Sequence, residues 1–311
     1  MESPLPHPHD SEAGSDSVRL ARCVRFGTQT AEGPFADVSL DRVVVEEPLE
    51  LRVGDFALAT IMRTPGHDRD LALGFLYGEG VIDRLDDVGA LAFCARDNDP
   101  GGAGRQSLRN VARLVLADSA RAPRLMQRHG PALSSCGVCG KRTIDEALEL
   151  RPPAGVRVPE LEDDGGRARA WIDAARLAEL PARLRHEQRV FDSTGALHAA
   201  GLFDEHGRAL WIREDIGRHN AVDKVVGAAI LAGALPLRHT ILQVSGRVSF
   251  EIVQKAFRGG IPLVAAVSGV SSLAIDLAAR VGMTLVGFSR DGRFNVYAGA
   301  SDVRGLGGPA R

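Results

Sequence analysis

At 311 residues, 44% of them apolar and 25% charged, the chain has the composition of a soluble globular protein large enough for two lobes. A net charge of −2 supplies no overall basic field for nucleic acid, and no apolar run is long enough to span a membrane. The N-terminus lacks the basic-then-apolar layout of a secretory signal, and four cysteines are too few for a disulfide framework, so a cytoplasmic protein with reduced thiols is expected.

Residues 1–17 combine Pro, Ser, Gly and acids with almost no apolar content, which reads as a disordered tail. An N-terminal α+β lobe follows over 18–150. Its sequence alternates as strands do up to Val53, and "RDLALGFLYGEGVI" (69–82) predicts a helix ended by Gly78 and Gly80. "NDPGGAG" (98–104) is a turn-rich loop before the strand "NVARLVLA". Cys23 and Cys94 stand alone in this lobe and read as buried, inert thiols. The segment 134–141, "SSCGVCGK", holds the other two cysteines and leads into a predicted helix, "KRTIDEALEL". Residues 151–168, rich in Pro, Gly and acids, read as an exposed connection.

Over 169–300 strands and helices alternate. "WIDAARLAELPARLRHEQ" reads as a helical stretch, "ALWIRED" as a strand and "HNAVDKVVGAAILAG" as a helix capped by Gly233. Then come "HTILQVSG", "SFEIVQKAFRGG", "IPLVAAVSG", "SSLAIDLAARVG" and "TLVGFSR", ahead of "RFNVYAG". Nearly continuous apolar strands between helices predict an α/β domain with a parallel, doubly covered sheet. Residues 301–311 read as a flexible tail.

In open α/β sheets, ligands settle where strand ends run into helix N-termini. Three segments read as such junctions. "VSGRVS" brings Ser245, Gly246 and Arg247, and "VSGVSS" brings Ser268 with a cap at Ser271 or Ser272. "FSRDGR" brings Phe288, Ser289, Arg290, Asp291, Gly292 and Arg293. Main-chain N–H groups and arginine forks in these segments suit oxyanions such as phosphate. "REDIGRHNAVDK" (213–224) is denser still in functional side chains, and Asp215 is its candidate for holding a base or ribose.

The C-x-x-C pair, Cys136 and Cys139, has three chemical readings. A closed zinc site needs four ligands and finds no second cysteine pair, so no metal is expected. Deaminase chemistry needs a glutamate two residues after its histidine, and after His198 that position is Ala200. A thioredoxin-type pair fits poorly in mid-chain among Ser and Gly. A nucleophilic sulfur fits better, with Gly137 and Gly140 leaving the thiols open and Lys141 and Arg142 favouring thiolate. From the residues alone, sulfur carriage, redox and metal use stay open.

"SSCGVCGK", "TPGHDRDLALGFLYGEGVI", "REDIGRHNAVDKVVGAAI", "SGRVSFEIVQKAFRGGIPLVAAVSGVSSLAIDLA" and "VGFSRDGRFNVYAG" together resemble the FdhD family of formate dehydrogenase accessory sulfurtransferases. The likeness runs from about residue 40 to 298; Ala196 departs from the glycine more usual there. The resemblance implies a cytidine deaminase-like fold for the C-terminal domain and a cytoplasmic homodimer. It implies that persulfide sulfur is received from a cysteine desulfurase. That sulfur is passed to the bis(molybdopterin guanine dinucleotide) molybdenum or tungsten cofactor of formate dehydrogenase, held as a substrate. Cys136 corresponds to the persulfide-bearing position and Cys139 to its partner, while Phe288–Arg293 corresponds to a cofactor-binding stretch. The alternative carried with it is a chaperone that holds the cofactor and whose cysteines form only a transient disulfide.

Overall fold

A computed structural model describes residues 17–27, 35–94, 110–118 and 171–306. The cysteine loop, the helix expected after it, the 151–168 connection and the tail 1–16 lie outside the described residues.

The N-terminal part holds a ribbon, β1 (Val18–Gly27) and β2 (Phe35–Val44), and a four-stranded sheet. That sheet, in the order β4-β3-β6-β5, is built from β3 (Glu47–Val53), β4 (Phe56–Arg63), β5 (Val88–Cys94) and β6 (Val111–Leu116). The helix expected at 69–82 is α1 (Asp68–Gly78), with Asp68 and Asp70 in its first turn, where carboxylates complement the helix dipole.

After β7 (Ile172–Asp173) come α2 (Ala174–His186), α3 (Arg189–Thr194), β8 (His198–Asp204) and β9 (Ala209–Asp215). Then α4 (Arg218–Leu231), β10 (Thr240–Val244), α5 (Phe250–Gly259), β11 (Leu263–Ala266), α6 (Ser272–Arg280), β12 (Thr284–Arg290), β13 (Arg293–Ala298) and β14 (Val303–Arg304) complete the chain. The α/β class is as expected, and Ser271 is the cap of α6, accepting from the Ala274 amide at 3.3 Å. The large sheet runs β13-β12-β11-β10-β8-β9. Only β10, β11 and β12 are mutually parallel; β8, β9 and β13 add antiparallel edges. Both faces are covered. Leu242, Val244, Val264 and Leu285 pack under α4, α5 and α6, and Ile241, Leu263, Ala265 and Val286 pack with Leu177, Leu180 and Leu184 of α2.

Two expectations fail here. The 301–311 tail is not wholly free: β14 pairs in parallel with β7 and Val303 is buried, because Trp171–Asp173 offer an unpaired edge and an apolar floor. Cys94 is exposed at the end of β5, and Cys23 is only half-buried, with Sγ 3.3 Å from Ser39 Oγ, since each sits on a strand with one open face.

The four-stranded sheet and the large sheet share one core, because α1 lies directly on α4. A Cβ at Gly74 would stand 1.8 Å from the Asp223 carbonyl oxygen, and one at Gly227 would stand 1.8 Å from that of Asp70. The helices therefore meet backbone to backbone at a reciprocal glycine contact. Buried ion pairs flank it. Arg213 Nε bonds Asp70 at 2.8 Å, Lys224 Nζ reaches Asp215 at 2.8 Å and the Thr64 carbonyl at 2.9 Å, and Lys255 Nζ reaches Asp223 at 2.7 Å. Pairs this buried add little net stability, but Arg213–Asp70 specifies how α1 docks on β9, while Lys224–Asp215 and Lys255–Asp223 fix α4 against β9 and α5.

His67, which enters α1 with φ 55°, is held to a pKa of about 3 by burial first and then by the charges of Arg213 and Lys224. The Asp70 carboxylate, 3.7 Å away, does not reverse this because Arg213 bonds it more closely. The unfolded chain binds a proton near pH 6.5 that the folded chain refuses until about 3, so stability present above pH 6.5 is lost as pH falls. The expected loss from this residue is about 1.4 kcal/mol per pH unit in that window. His67→Asn keeps a residue tolerant of positive φ and removes the titration. Urea melts at pH 7 and pH 5 should show the wild type losing about 2 kcal/mol more than the variant; identical losses would refute the assignment.

Candidate functional site

The candidate site lies where β10, β11 and β12 end. Main-chain bonds extend the sheet past the strands: Val267 N donates to the Val244 carbonyl at 3.0 Å, Val248 N to Gly269 at 3.1 Å and Phe288 N to Ser268 at 2.9 Å. These bonds align the three segments side by side. The third is not a strand-to-helix junction, however. Asp291 and Gly292, at φ 53° and 72°, make a two-residue hairpin turn joining β12 to β13, the geometry that Asp-Gly favours.

A cavity of about 680 Å³ opens beside this edge, a volume typical of small-ligand sites. Ser245, His198, Arg290 and Asp291 supply its polar wall, and Leu184, Phe191, Leu197 and Val267 its apolar wall. The Ala199 amide donates to Ser245 Oγ at 2.9 Å, which fixes the hydroxyl at the β8–β10 seam. Burial lowers the His198 pKa, and the guanidiniums of Arg218 and Arg247 lower it further, so the imidazole is held neutral. Gly246 lies between His198 and Arg218: a Cβ there would come within 3.2 Å of His198 Nδ1 and 3.6 Å of Arg218 Cβ. Arg218 Nε is buried without a hydrogen-bond partner, leaving cationic donor capacity close to the neutral histidine. Ala200, by contrast, packs in the apolar core, where a glutamate could not stay charged.

The opposite wall comes from α2 and α3. Arg185 stacks over the Phe191 ring at 4.7 Å and pairs with Asp192 at 2.5 Å. Glu214 on β9 accepts from the Val190 and Phe191 amides at 3.0 and 2.9 Å, which pins the first turn of α3 and sets Phe191 at the cavity. Burial raises the Glu214 pKa, against the pull of those two amide bonds.

The residues picked out in the sequence therefore separate. Ser245, Arg290 and Asp291 line the cavity, and Gly246 supports His198 behind it. Phe288, at φ 53° on a bulge, lays its ring against Gly269 beside Ser268. Arg247 is exposed on the adjoining loop. Ser289 faces inward and is fully buried, while Gly292 and Arg293 sit at the hairpin tip outside the cavity lining, Arg293 with 79% of its side chain exposed. Asp215 is corrected. It is fully buried and bound to Lys224, the Gly217 and Thr64 amides and Asn220, so it has no surface for a base or ribose. Most of the 213–224 charge run likewise ties α1, α3 and α4 to the sheet. At the junction itself stand Arg218 and His219, the latter 2.8 Å from Glu251 and 3.1 Å from Ser249 Oγ. Cys136 and Cys139 lie outside the described residues. Arg185, Gln188 and Phe191 were missed, since a helix and a short turn carry no motif that advertises a cavity.

These features define an α/β protein with a cavity at the carboxyl edge of its parallel strands, walled by Ser245, His198, Arg290 and Asp291 on one side and by α2 and α3 on the other. Residues 44–304 match the FdhD/NarQ family model, and the chain belongs to that family. It is 48% identical over 268 residues to the sulfur carrier protein FdhD of Streptomyces avermitilis, covering 83% of this chain and 88% of that relative. A sulfur carrier protein FdhD from Nocardia farcinica is 45% identical over 271 residues, covering 87% and 91%. The fold matches the crystal structure of a protein proposed to be a formate dehydrogenase accessory protein, from Desulfotalea psychrophila. The TM-score is 0.67 at 22% identity, over 92% of this chain and 99% of that one. Among the described residues no helix is long and apolar enough to cross a membrane.

Proposed function

We propose that this chain is a cytoplasmic sulfurtransferase acting as an accessory to formate dehydrogenase. Cys136 accepts a sulfur atom from a cysteine desulfurase as a persulfide, and that sulfur passes to the bis(molybdopterin guanine dinucleotide) cofactor, which is the substrate. The observation that carries the reading is the cavity. A neutral imidazole, a fixed serine hydroxyl and Arg290 face an apolar wall bearing Phe191, which suits one guanine nucleotide arm: a flat ring to stack and phosphates to hold. The sulfur carrier names of the relatives support the chemistry at the cysteines.

Two measurements test the two halves. Intact mass after incubation with a cysteine desulfurase and isotopically labelled cysteine should show added sulfur; its absence under conditions that load another acceptor would favour a cofactor-holding chaperone instead. Guanosine diphosphate should bind by calorimetry, and Arg290→Ala should weaken it by about 1.5–3 kcal/mol, as expected for a lost charge-assisted phosphate contact. Arg293→Ala, at the hairpin tip, should leave the affinity unchanged. Equal affinities for wild type and Arg290→Ala would remove the cavity from the reading.

A further inference from the structure

The two helices on the far wall of the cavity are held in different ways. The longer one, α2, is sunk through Leu177, Leu180 and Leu184. The shorter one, α3, has six residues and buries none of them fully, yet with its flanks it supplies Gln188, Phe191, Gly195, Ala196 and Leu197 to the lining. A helix that short does not persist by itself. Gln188 at its N-cap makes no capping side-chain bond, and the pair of Asp192 with Arg185 is half exposed and contributes little. The hold comes from Glu214 on β9, 24 and 23 residues away along the chain. Its Oε2 accepts from the Val190 amide and its Oε1 from the Phe191 amide. These are the amides of the first turn that a local cap would take.

We infer that Glu214 is a positioning residue for the ligand of this cavity: its ionised carboxylate holds α3, and with it Phe191, where the ligand meets them. The inference rests on the reading of the cavity as a nucleotide site. The charge matters because a carboxylate bonds main-chain amides roughly twice as strongly as a neutral acceptor does, so a proton taken by Glu214 loosens both bonds. Burial is the largest influence on that proton and raises the Glu214 pKa above its usual 4.5. The two amides oppose this, Asp192 of α3 adds to it, and Lys224 of α4 subtracts from it. Arg185 of α2 pairs with Asp192, Arg213 and Asp215 turn to the other face of β9, and the residue opposite on β8 is Ala199. The sign follows: the hold is complete in neutral solution, where Glu214 is ionised, and is lost as pH falls and the carboxyl takes its proton.

Two measurements on the full chain test this. Calorimetry with guanosine diphosphate between pH 7.5 and pH 5 reads the ligand. Glu214→Gln, which keeps the shape and lacks the charge, should bind about tenfold more weakly than wild type at pH 7.5. That ratio should shrink toward one as pH falls, because the wild type weakens toward the variant; taking the ratio cancels the titration of the phosphates themselves. A residue that only supports the fold would give a ratio independent of pH. Hydrogen–deuterium exchange over 189–195 reads the anchor with no ligand present. Corrected for intrinsic rates, protection there should fall in Glu214→Gln, and in the wild type on going to pH 5, while β10, β11 and β12 keep theirs. Should the variant fail to fold, the wild-type exchange profile carries the test. Equal affinities, a ratio that does not change with pH, or unchanged protection over 189–195 overturns the inference. A wild type that binds no guanosine diphosphate overturns the nucleotide reading instead, and exchange then decides whether Glu214 is the anchor.

Discussion

Gly74→Ala and Gly227→Ala should each destabilise the fold by at least about 4 kcal/mol, beyond the usual cost of overpacking, because neither added methyl has anywhere to go. Each Cβ would meet a backbone carbonyl of the other helix at 1.8 Å, and a backbone cannot rotate aside as a flexible side chain can. Relief requires α1 and α4 to separate. Separation pulls Arg213 from Asp70 and Lys224 from the Thr64 carbonyl, breaking one buried ion pair and one buried hydrogen bond. The two penalties arrive together, so the effect should appear as insoluble protein or a collapsed denaturation midpoint rather than a modest shift. Gly282→Asn is the control: its φ of +66° suits asparagine, nothing lies within 4 Å of its Cβ position, and its melt should stay close to wild type. A loss below about 1 kcal/mol in either alanine variant would mean that the helices do not cross as closely as described.

Cys136→Ala should abolish sulfur loading and leave formate dehydrogenase inactive, whereas Cys139→Ala should still be loaded, at least in part, even if transfer then fails. The division follows from the resemblance at Cys136 and from the sequence around Cys139. Cys139 stands nearer Lys141 and the helix predicted after it, and so should be the thiolate more easily formed. A persulfide on Cys136 could then be approached or released with Cys139 as the neighbouring thiolate. Peptide masses from both variants under labelled cysteine separate the roles. Label retained on Cys139 in the Cys136→Ala protein would reverse the assignment.

The alternation of strand and helix after residue 169 was legible because fully buried strands need continuous apolar runs and helices need caps; Ser271 and Gly233 could be read directly. That Ser245, Arg290 and Asp291 stand at strand ends was legible for a similar local reason, and the structure sets all three on the wall of one cavity. The sequence likewise carried the cysteine pair and the family motifs.

What it did not carry was pairing across distance. "LHAAGLFD" looks like any short apolar run, and only the assembled sheet makes it β8, antiparallel between β10 and β9. The charges at 213–224 look alike in one dimension. Alternation along β9 turns Glu214 toward α3 and its neighbours Arg213 and Asp215 toward α1 and α4, so a run that suggested a ligand site became mostly internal wiring. Phe191 and Arg185 reach the cavity only because Glu214 holds α3 in place. Gly74 and Gly227 are unremarkable in sequence, since a glycine states what is missing and not what fills the space. Composition, caps, motifs and local turn chemistry were settled by the chain itself, because they depend on neighbours a few residues away. The lobe docking, the burial of Asp215 and the walls of the cavity were settled by the tertiary structure, because each depends on groups more than a hundred residues apart or on opposite faces of one sheet.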